Sequence, residues 1–453
     1  PAGRGPAVPV GPVLAAKPSL TGSGFPHRCD ESCRHVTPSR GESRLVANPG
    51  QLAELFHAGA GVRRSVELEA GREQEVRILD RRLREDGFVA VGAATPDGGH
   101  LYLVFSKAGS RYQGRFAHGD QADVWILAGD ESGATMESRP VTSVLCANEH
   151  EGRRVAGLPP LKLSGPPAPN EEDAAPLKSA AAQPVLNSLP GANGVIYLDF
   201  DGETVSGTPW NASFTNGADI VAPGAGFSDA QIRLIWEVIS EDYRPVIVNV
   251  TTDRSVYNSY RTDRKTMIIF TPNNEWYGAA GGVAYVDIFG NQFFDEPGWV
   301  FTDQLLYNNV PHAPWAAEAG AHEAGHVVGL SHDGTGSADY YEGHGSGATS
   351  WGPIMGASYQ VAVSQWSRGE YSGANNTEDD LAIIASSRNG LGYRVDDHAG
   401  STGSATPFTR AGEAVSASGL IERTSDVDVF SVETGGGDLS ITGSNFATDP
   451  NLD

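Results

Sequence analysis

At residues 321–333 the chain reads Ala321-His322-Glu323-Ala324-Gly325-His326-Val327-Val328-Gly329-Leu330-Ser331-His332-Asp333, which contains the pattern H-E-x-x-H-x-x-G-x-x-H. Residues four apart share a face of an α-helix, so His322 and His326 can direct ring nitrogens at one ion. Gly329 can adopt a backbone conformation that other residues avoid, and this brings His332 towards the same ion. The stretch therefore predicts a helix that carries a three-histidine zinc site.

The residues of this pattern also predict the chemistry of the site. Three imidazoles leave a fourth tetrahedral position for water, which distinguishes a catalytic zinc from a structural one. Glu323 directly follows the first predicted ligand and is the candidate general base for that water. With 12 histidines in 453 residues, a chance match at five positions is on the order of one in ten thousand.

Here the sequence resembles the metzincin clan of zinc endopeptidases, in which a turn containing methionine lies beneath the metal. Trp351-Gly352-Pro353-Ile354-Met355-Gly356 fits that turn, and the resemblance gives Met355 the role of an apolar floor under the histidines. Some members have a tyrosine two residues after this methionine, which contacts the zinc or the oxyanion. Here Tyr359 comes four residues after it. Because of this different spacing, Tyr359 is a candidate for that role, for the wall of the pocket that takes the side chain after the cleaved bond, or for the core.

The resemblance implies an α/β (α+β) catalytic domain with a mixed sheet over residues 193–398. Ser228 begins a helix with a capping box, and Val246–Val250, Met267–Phe270 and Trp299–Thr302 are predicted strands. Val283–Ile288 lies where the clan has its antiparallel edge strand above the cleft. Such an edge can bind an extended peptide by strand addition, so protein and peptide substrates are the expected partners.

Two further segments are predicted before the catalytic domain, after a disordered leader at residues 1–44. Short apolar runs separated by turn signals predict a small β-rich domain at 45–150, and residues 151–192 have the composition of a linker. Of the 32 basic residues 21 precede Asn193, so the β-rich domain is expected to be a prosegment that covers the acidic catalytic domain.

The three cysteines suggest how such a precursor is kept latent. In some zymogens of the clan a cysteine thiolate occupies the open zinc position, and the resemblance makes Cys146 the candidate for this switch. Cys29 and Cys33 compete for the role. They could also form a local disulfide, remain free thiols, or bind zinc together with His35.

The residues after Gly400 differ again in composition. Residues 399–453 predict a partial, truncated β-sandwich, and Ser425–Val432 resembles the start of the bacterial pre-peptidase C-terminal domain. Asp426 and Asp428 could help to bind Ca²⁺, although solvated acidic side chains are the more common outcome.

Net charge and hydropathy narrow the classes of partner. The net charge is −24, and the acidic half of the chain would repel nucleic acids and anionic membranes. No run approaches the ~20 apolar residues of a membrane span. The first 20 residues are typical of what remains after a signal peptide is removed, so we expect a secreted, extracellular protein, and we expect it to be a monomer.

Three functions remain open on the sequence. The leading hypothesis is a secreted zinc endopeptidase made as a latent precursor. The alternatives are an extracellular polymer-binding protein on a metzincin scaffold and a zinc amidohydrolase of a non-peptide substrate.

Overall fold

The protein is mixed α/β, consists mostly of strands, and contains a curled antiparallel sheet. The computed structural model describes residues 43–118, 123–146, 183–435, 438 and 440–443. The leader up to residue 42, with Cys29, Cys33 and His35, and most of the predicted linker lie outside the described residues. Among the described residues, no helix combines the length and the apolar character needed to cross a bilayer.

The first sheet is an eight-stranded antiparallel meander over residues 43–140. Its neighbours run in the order β1-β8-β7-β6-β5-β4-β3-β2. The predicted strands of this region all lie within it. Its strands are β1 (Ser43–Leu45), β2 (Arg63–Glu69), β3 (Arg72–Leu83), β4 (Val89–Ala94), β5 (His100–Phe105), β6 (Tyr112–Ala117), β7 (Asp123–Gly129) and β8 (Ala134–Pro140).

The residues between β1 and helix α1 (Pro49–Glu54) join the two edges of this sheet. The amide of Val46 donates to the carbonyl of Ala134 at 2.9 Å, on the β8 side. The next amide, of Ala47, donates to the carbonyl of Leu68 in β2, also at 2.9 Å. The sheet is therefore curled, so that β8 and β2 both hydrogen-bond to the same short segment. Leu52 of α1 is fully buried inside the curled sheet.

A second core is built on a five-stranded sheet in the order β12-β9-β13-β15-β14. The first four of these strands are parallel and β14 is antiparallel at the edge. Strand residues here are buried on both faces, as expected where helices or loops cover a parallel sheet. The strands are β9 (Gly194–Asp199), β12 (Val248–Thr251), β13 (Lys265–Thr271), β14 (Gly282–Val283) and β15 (Gly298–Phe301), with the hairpin β10 (Gly202–Val205) and β11 (Ile220–Pro223) beside them.

Local signals explain the principal helices of this part. Helix α3 (Asp229–Asp242) begins with the predicted capping box, in which the Ser228 side chain accepts from the Gln231 amide. Helix α5 (Ala313–Val327) has Pro314 in its first turn and is rich in alanine and glycine. A methyl group at Gly320 would lie 2.8 Å from the side chains of Ile239 and Phe270, so this glycine lets α5 pack closely on α3 and β13. The shorter helices are α2 (Pro209–Phe214), α4 (Arg254–Ser259) and α6 (Asp380–Ile384).

Two predicted elements differ from the structure. The edge strand predicted at Val283–Ile288 pairs with its own sheet only through Gly282–Val283, because the next residues pair with Val144–Cys146 instead. In the C-terminal region the described residues form short pairs rather than a sandwich. These are β20 (Thr406–Pro407) with β23 (Phe430–Ser431), and β21 (Thr409–Ala411) with β22 (Ala414–Ser416).

Residues 183–192, assigned to the linker by composition, pack on the second core. The side-chain amide of Gln183 donates to the Thr252 carbonyl at 2.7 Å, and Leu186 is 8% exposed. The folded part of this unit therefore starts at or before residue 183. Two more short sheets belong to this unit. One is β16 (Leu306–Tyr307) with β17 (Val310–Pro311); the other, β18 (Trp351–Pro353) with β19 (Val363–Gln365), lies next to the candidate site.

Candidate metal centre

Three histidine rings converge at the C-terminal end of helix α5. Nε2 of His326 lies 3.0 Å from Nε2 of His322 and 2.9 Å from Nε2 of His332. The chain leaves the helix at Gly329, whose φ is +111°, a conformation that favours glycine. This turn places His332 beside the two helical histidines, all of which are at most 7% exposed.

Backbone carbonyls determine which nitrogens of these rings face the centre. Nδ1 of His322 lies 2.8 Å from the Ile354 carbonyl, and Nδ1 of His326 lies 2.8 Å from the Leu330 carbonyl. A carbonyl oxygen only accepts, so each Nδ1 carries a proton and each Nε2 of a neutral ring presents a lone pair. Burial lowers the pKa of His322 to about 4, although its bond to Ile354 opposes the shift, so this ring is neutral at pH 7.

The two lone pairs at 3.0 Å make this centre a candidate cation site. Two acceptor nitrogens cannot hydrogen-bond to each other, and a cation between them replaces their repulsion with two bonds. Backbone carbonyls that orient metal-bound imidazoles in this way are the usual outer partners of zinc ligands. The donor set fits zinc, since Cys146 joins the histidines and the four candidate ligand atoms all lie within 4.8 Å of one another.

Cys146 reaches this centre from outside the histidine helix. Its Sγ lies 3.2 Å from Nε2 of His332, and the hydroxyl of Tyr340 hydrogen-bonds to the thiol. The Tyr340 ring also packs on His332, with 4.3 Å between ring centroids. Burial is the main reason why the pKa of the free Cys146 thiol is raised well above its ordinary value. A bound cation would favour the thiolate.

The main chain around Cys146 is bonded like an added strand. Its amide donates to the Ala284 carbonyl at 3.0 Å, and the Val286 amide donates to the Val144 carbonyl at 2.9 Å. The carbonyl of Cys146 accepts from the hydroxyl of Tyr277 at 3.3 Å. The segment 144–146 therefore lies antiparallel to residues 284–286 and covers the centre.

The candidate base, Glu323, is 3% exposed beside the centre. Its Oε2 has no hydrogen-bond partner in the described part of the chain, and burial raises the pKa of its carboxyl well above the ordinary value. A methyl group at Gly282 would lie 2.5 Å from Oε1 of Glu323. The present position of the Glu323 carboxyl group therefore requires that residue 282 has no side chain.

Met355 and Tyr359 occupy different kinds of position. Met355 is fully buried, and a methyl group at Gly325 would lie 2.6 Å from its Sδ, so it packs directly against the histidine helix. The backbone carbonyl of Tyr359 accepts from the Trp315 indole at 2.9 Å. Burial raises the pKa of Tyr359, and the charges of Glu318 and Glu323 add to the shift. No described hydrogen bond joins the Tyr359 hydroxyl to the histidines.

Arginines of the first sheet meet carboxylates of the second core next to the site. Nη2 of Arg82 lies 3.0 Å from Oδ1 of Asp295. Nη1 of Arg115 lies 3.3 Å from Oε1 of Glu296. Arg84, with its side chain 2% exposed, lies 3.3 Å from Asp295 and donates to the Phe293 carbonyl at 2.7 Å. The predicted charge complementarity between the two parts therefore takes the form of largely buried pairs.

Sequence reasoning did not find Tyr277, Tyr340 or these arginines as parts of the site. The two tyrosines lie in loops without a recognisable motif, and their roles depend on where Cys146 lies. Clustering of basic residues in the first 192 positions was the only available signal for the arginines. It could not indicate which of them face Asp295 and Glu296.

Two further groups of ligand-type side chains lie in the C-terminal region. Ligand atoms of each group lie within 4.8 Å of one another; one group is Asp396, Glu422 and Asp426, and the other is Asp397, His398 and Asp428. Glu422 is 2% exposed, and its Oε2 has no described partner. Desolvation by burial, the side-chain hydrogen bond with Asp426 and the charges of neighbouring carboxylates raise the pKa of Glu422 to about 7.

Comparison with known proteins gives no assignment. No protein-family model, no curated protein and no solved structure matches the chain.

Proposed function

We propose that this protein is a secreted zinc endopeptidase of the metzincin type, produced as a latent precursor. The observation that carries the proposal is the 3.0 Å separation of two Nε2 atoms whose Nδ1 partners are carbonyl oxygens. His322, His326 and His332 would hold the zinc. When bound, zinc supplies Lewis-acid activation of a water molecule and of a peptide carbonyl.

The chain's own residues would then perform the remaining tasks. Glu323 accepts the proton of the attacking water at its buried carboxylate and delivers it to the leaving nitrogen. The edge formed by residues 282–286 hydrogen-bonds the extended main chain of the substrate, which explains recognition of peptides rather than of one side chain.

Latency is attributed to the first sheet and Cys146. With Cys146 beside the three histidines, a tetrahedral set of ligands is complete, and a complete set leaves no position for water. The same segment occupies the edge strand that a substrate would need. When residues 144–146 dissociate, the Cys146 thiol leaves the histidines and the edge strand becomes free to bind a substrate.

The metzincin assignment has further support in the position of the edge strand. β14 is the antiparallel edge of an otherwise parallel sheet, and Gly282 of β14 lies against Glu323. Met355 packs under the histidine helix, as the resemblance implies for its turn. Tyr359 stays a candidate for the pocket wall, and the described contacts give it no direct role.

The test of this function combines metal analysis with proteolysis. The full chain, activated by limited proteolysis within residues 147–182, should contain one zinc per chain and hydrolyse casein, and a chelator should abolish the hydrolysis. Glu323→Gln should retain the zinc and lose hydrolysis by about 10²–10⁴-fold. A zinc-free protein that cannot be reloaded, or full activity in Glu323→Gln, would refute the proposal.

Two alternatives predict different results in the same assay. A polymer-binding protein on this scaffold would bind an extracellular polymer without cleaving casein. An amidohydrolase would cleave small amides, but not peptides, in a zinc-dependent manner. The strand-like binding of residues 144–146 favours an extended peptide as the substrate.

We also propose that Ca²⁺ binds between Asp396, Glu422 and Asp426. The buried, unpartnered oxygen of Glu422 points to a cation rather than to solvated acids. Millimolar Ca²⁺ should raise the melting temperature of the full chain, and Glu422→Gln should remove most of that increase. An unchanged melting temperature in the wild type would rule the site out.

A further inference from the structure

The segment Val144–Cys146 is the chain's own example of a bound peptide. Leu145 lies directly opposite Tyr285 in antiparallel register, flanked by the two main-chain bonds to residues 284 and 286 described above. Any extended peptide adding to this edge in the same direction would use the same amide and carbonyl groups. The segment therefore reports the path of a substrate along the edge.

The alternation of side chains fixes where Leu145 points. Neighbouring residues of an extended strand project to opposite sides. Cys146 directs its Sγ towards His332, so Leu145 projects away from the histidines. Leu145 is 2% exposed and therefore fills a subsite separate from the metal centre.

That subsite belongs partly to the second core and partly to the first sheet. Leu145 lines a cavity of about 300 Å³ together with Pro209, Phe214 and Tyr285 of the second core and with side chains of the first sheet such as Tyr102. Phe214 is 7% exposed and Tyr285 5%. When the first sheet departs, the side chains of the second core that still line this space are Pro209, Phe214 and Tyr285, with the uncharged polar side chains of Ser213 and Asn216 beside them.

We infer that the mature enzyme selects an aliphatic side chain at the second residue before the cleaved bond, and that Phe214, Pro209 and Tyr285 form the selecting wall. The inference rests on the proposed peptidase function and adds a substrate class to it. A charged side chain there would lie against the rings without a partner, and a glycine would leave the wall uncovered.

The register follows from the contacts of Cys146. The Cys146 side chain contacts His332. The next group towards the C-terminus is the Cys146 carbonyl, which accepts a hydrogen bond from the Tyr277 hydroxyl. A substrate residue in its place would present its carbonyl for attack. The residue in the place of Leu145 is then the second before the cleaved bond.

Cleavage-site profiling of the proteolytically activated full chain on a peptide library tests this. Leucine, isoleucine, valine and methionine should be preferred over aspartate, lysine and glycine at that position by about tenfold or more in kcat/KM, as burial of an aliphatic side chain implies. A flat profile at that position, or a preference confined to other positions, would overturn the inference.

Variants of the wall give a second readout. Ser213 also lines the cavity and is only half-buried, so Ser213→Phe should fill the subsite and shift the preference towards alanine and glycine. Ser387→Phe places the same ring at an exposed position outside the cavity, and it is the matched control with an unchanged profile. An unchanged profile in Ser213→Phe would contradict the assignment of the wall.

Binding separates a failure of this inference from a failure of the proposed function. In activated Glu323→Gln, a peptide with leucine at the tested position should bind at least tenfold more tightly than its aspartate counterpart, with or without turnover in the wild type. If casein and the library both stay uncleaved while this difference is found, the peptidase assignment fails and the subsite stands. Equal binding of the two peptides overturns the subsite.

Discussion

Arg115 of the first sheet and Glu296 of the second core form an ion pair in which the guanidinium nitrogen and the carboxylate oxygen are 3.3 Å apart. The guanidinium also lies between two aromatic rings, 4.3 Å from the centroid of Tyr285 and 4.2 Å from that of Phe294. The Glu296 side chain has no exposed surface. The pair therefore couples the first sheet directly to Tyr285, which also lines the cavity beside Leu145.

Removing the Arg115 side chain should lower the stability of the protein. Arg115→Ala leaves Glu296 buried without its partner, which typically lowers the free energy of unfolding by about 3–5 kcal/mol. Denaturant unfolding of the full chain measures the change. Arg63→Ala is the control, because Arg63 pairs with Glu75 on the surface at 67% side-chain exposure and should change stability by less than about 1 kcal/mol. Equal effects of the two variants would contradict the role of the buried pair.

Loss of the Cys146 thiol should release activity before any processing. Cys146→Ala removes the donor next to His332, and we expect the unprocessed chain to hydrolyse a short peptide substrate that the wild type leaves intact. A fluorogenic peptide assay on the intact chain, checked by gel for the absence of cleavage, measures this. The double variant Cys29→Ala, Cys33→Ala is the control and should remain latent. Latency in Cys146→Ala would remove this thiol from the mechanism and would mean that pairing of residues 144–146 with the edge strand blocks the site without it.

A methyl group on strand β14 should disable the base without affecting the metal. In Gly282→Ala the new group would displace the Glu323 carboxylate from its present position, and misplacement of a catalytic group by about 1 Å costs on the order of 10²-fold in rate. The activated variant should therefore lose about that much kcat and keep its zinc. Gly336→Ala is the matched control, since a methyl group there meets nothing within 4 Å. Similar activities of the two variants would show that Glu323 tolerates the shift.

Stability should depend on pH through Glu318, one turn before His322. Burial raises the pKa of Glu318 to about 7 from an ordinary value of 4.5, although the Ser364 hydroxyl bond opposes the shift. The unfolded chain therefore releases this proton at lower pH than the folded chain does. The contribution of Glu318 to stability is complete below about pH 4.5 and is lost as the pH rises to 7, by about 3 kcal/mol.

Glu318→Gln should abolish this dependence. Denaturant unfolding of the wild type and of the variant between pH 4.5 and 8 measures the difference in their free energies of unfolding. Relative to the wild type, the free energy of unfolding of the variant should rise by about 3 kcal/mol between pH 4.5 and 8. Parallel stability curves would mean that Glu318 ionises normally in the folded protein.

Local sequence signals predicted the elements that local chemistry determines. The capping box at Ser228, the left-handed exit at Gly329 and the alternating runs of the first sheet follow from residue types within one or two turns. The helical spacing of His322 and His326 placed two rings side by side for the same reason. Whether these rings bind zinc stays a prediction.

Contacts between distant segments could not be predicted in this way. The edge strand was predicted too long because residues 284–286 have the composition of a strand, and only the structure shows that their partner is Leu145 rather than β15. The roles of Tyr277 and Tyr340 could not be predicted from their own sequence context, because both depend on the position of Cys146. The sandwich predicted for residues 399–453 rested on composition and on the resemblance of Ser425–Val432, and within the latter stretch only Phe430–Ser431 is a strand.

The bond from Val46 to Ala134, with its neighbour from Ala47 to Leu68, bears on the fate of the first sheet if activation removes it, as proposed. A detached sheet with two open edges would offer rows of unpaired amides and carbonyls to other copies, and such edges promote aggregation. Here the outermost strands already share a connecting segment. We therefore expect a released first sheet to keep its fold and to resist association with other copies.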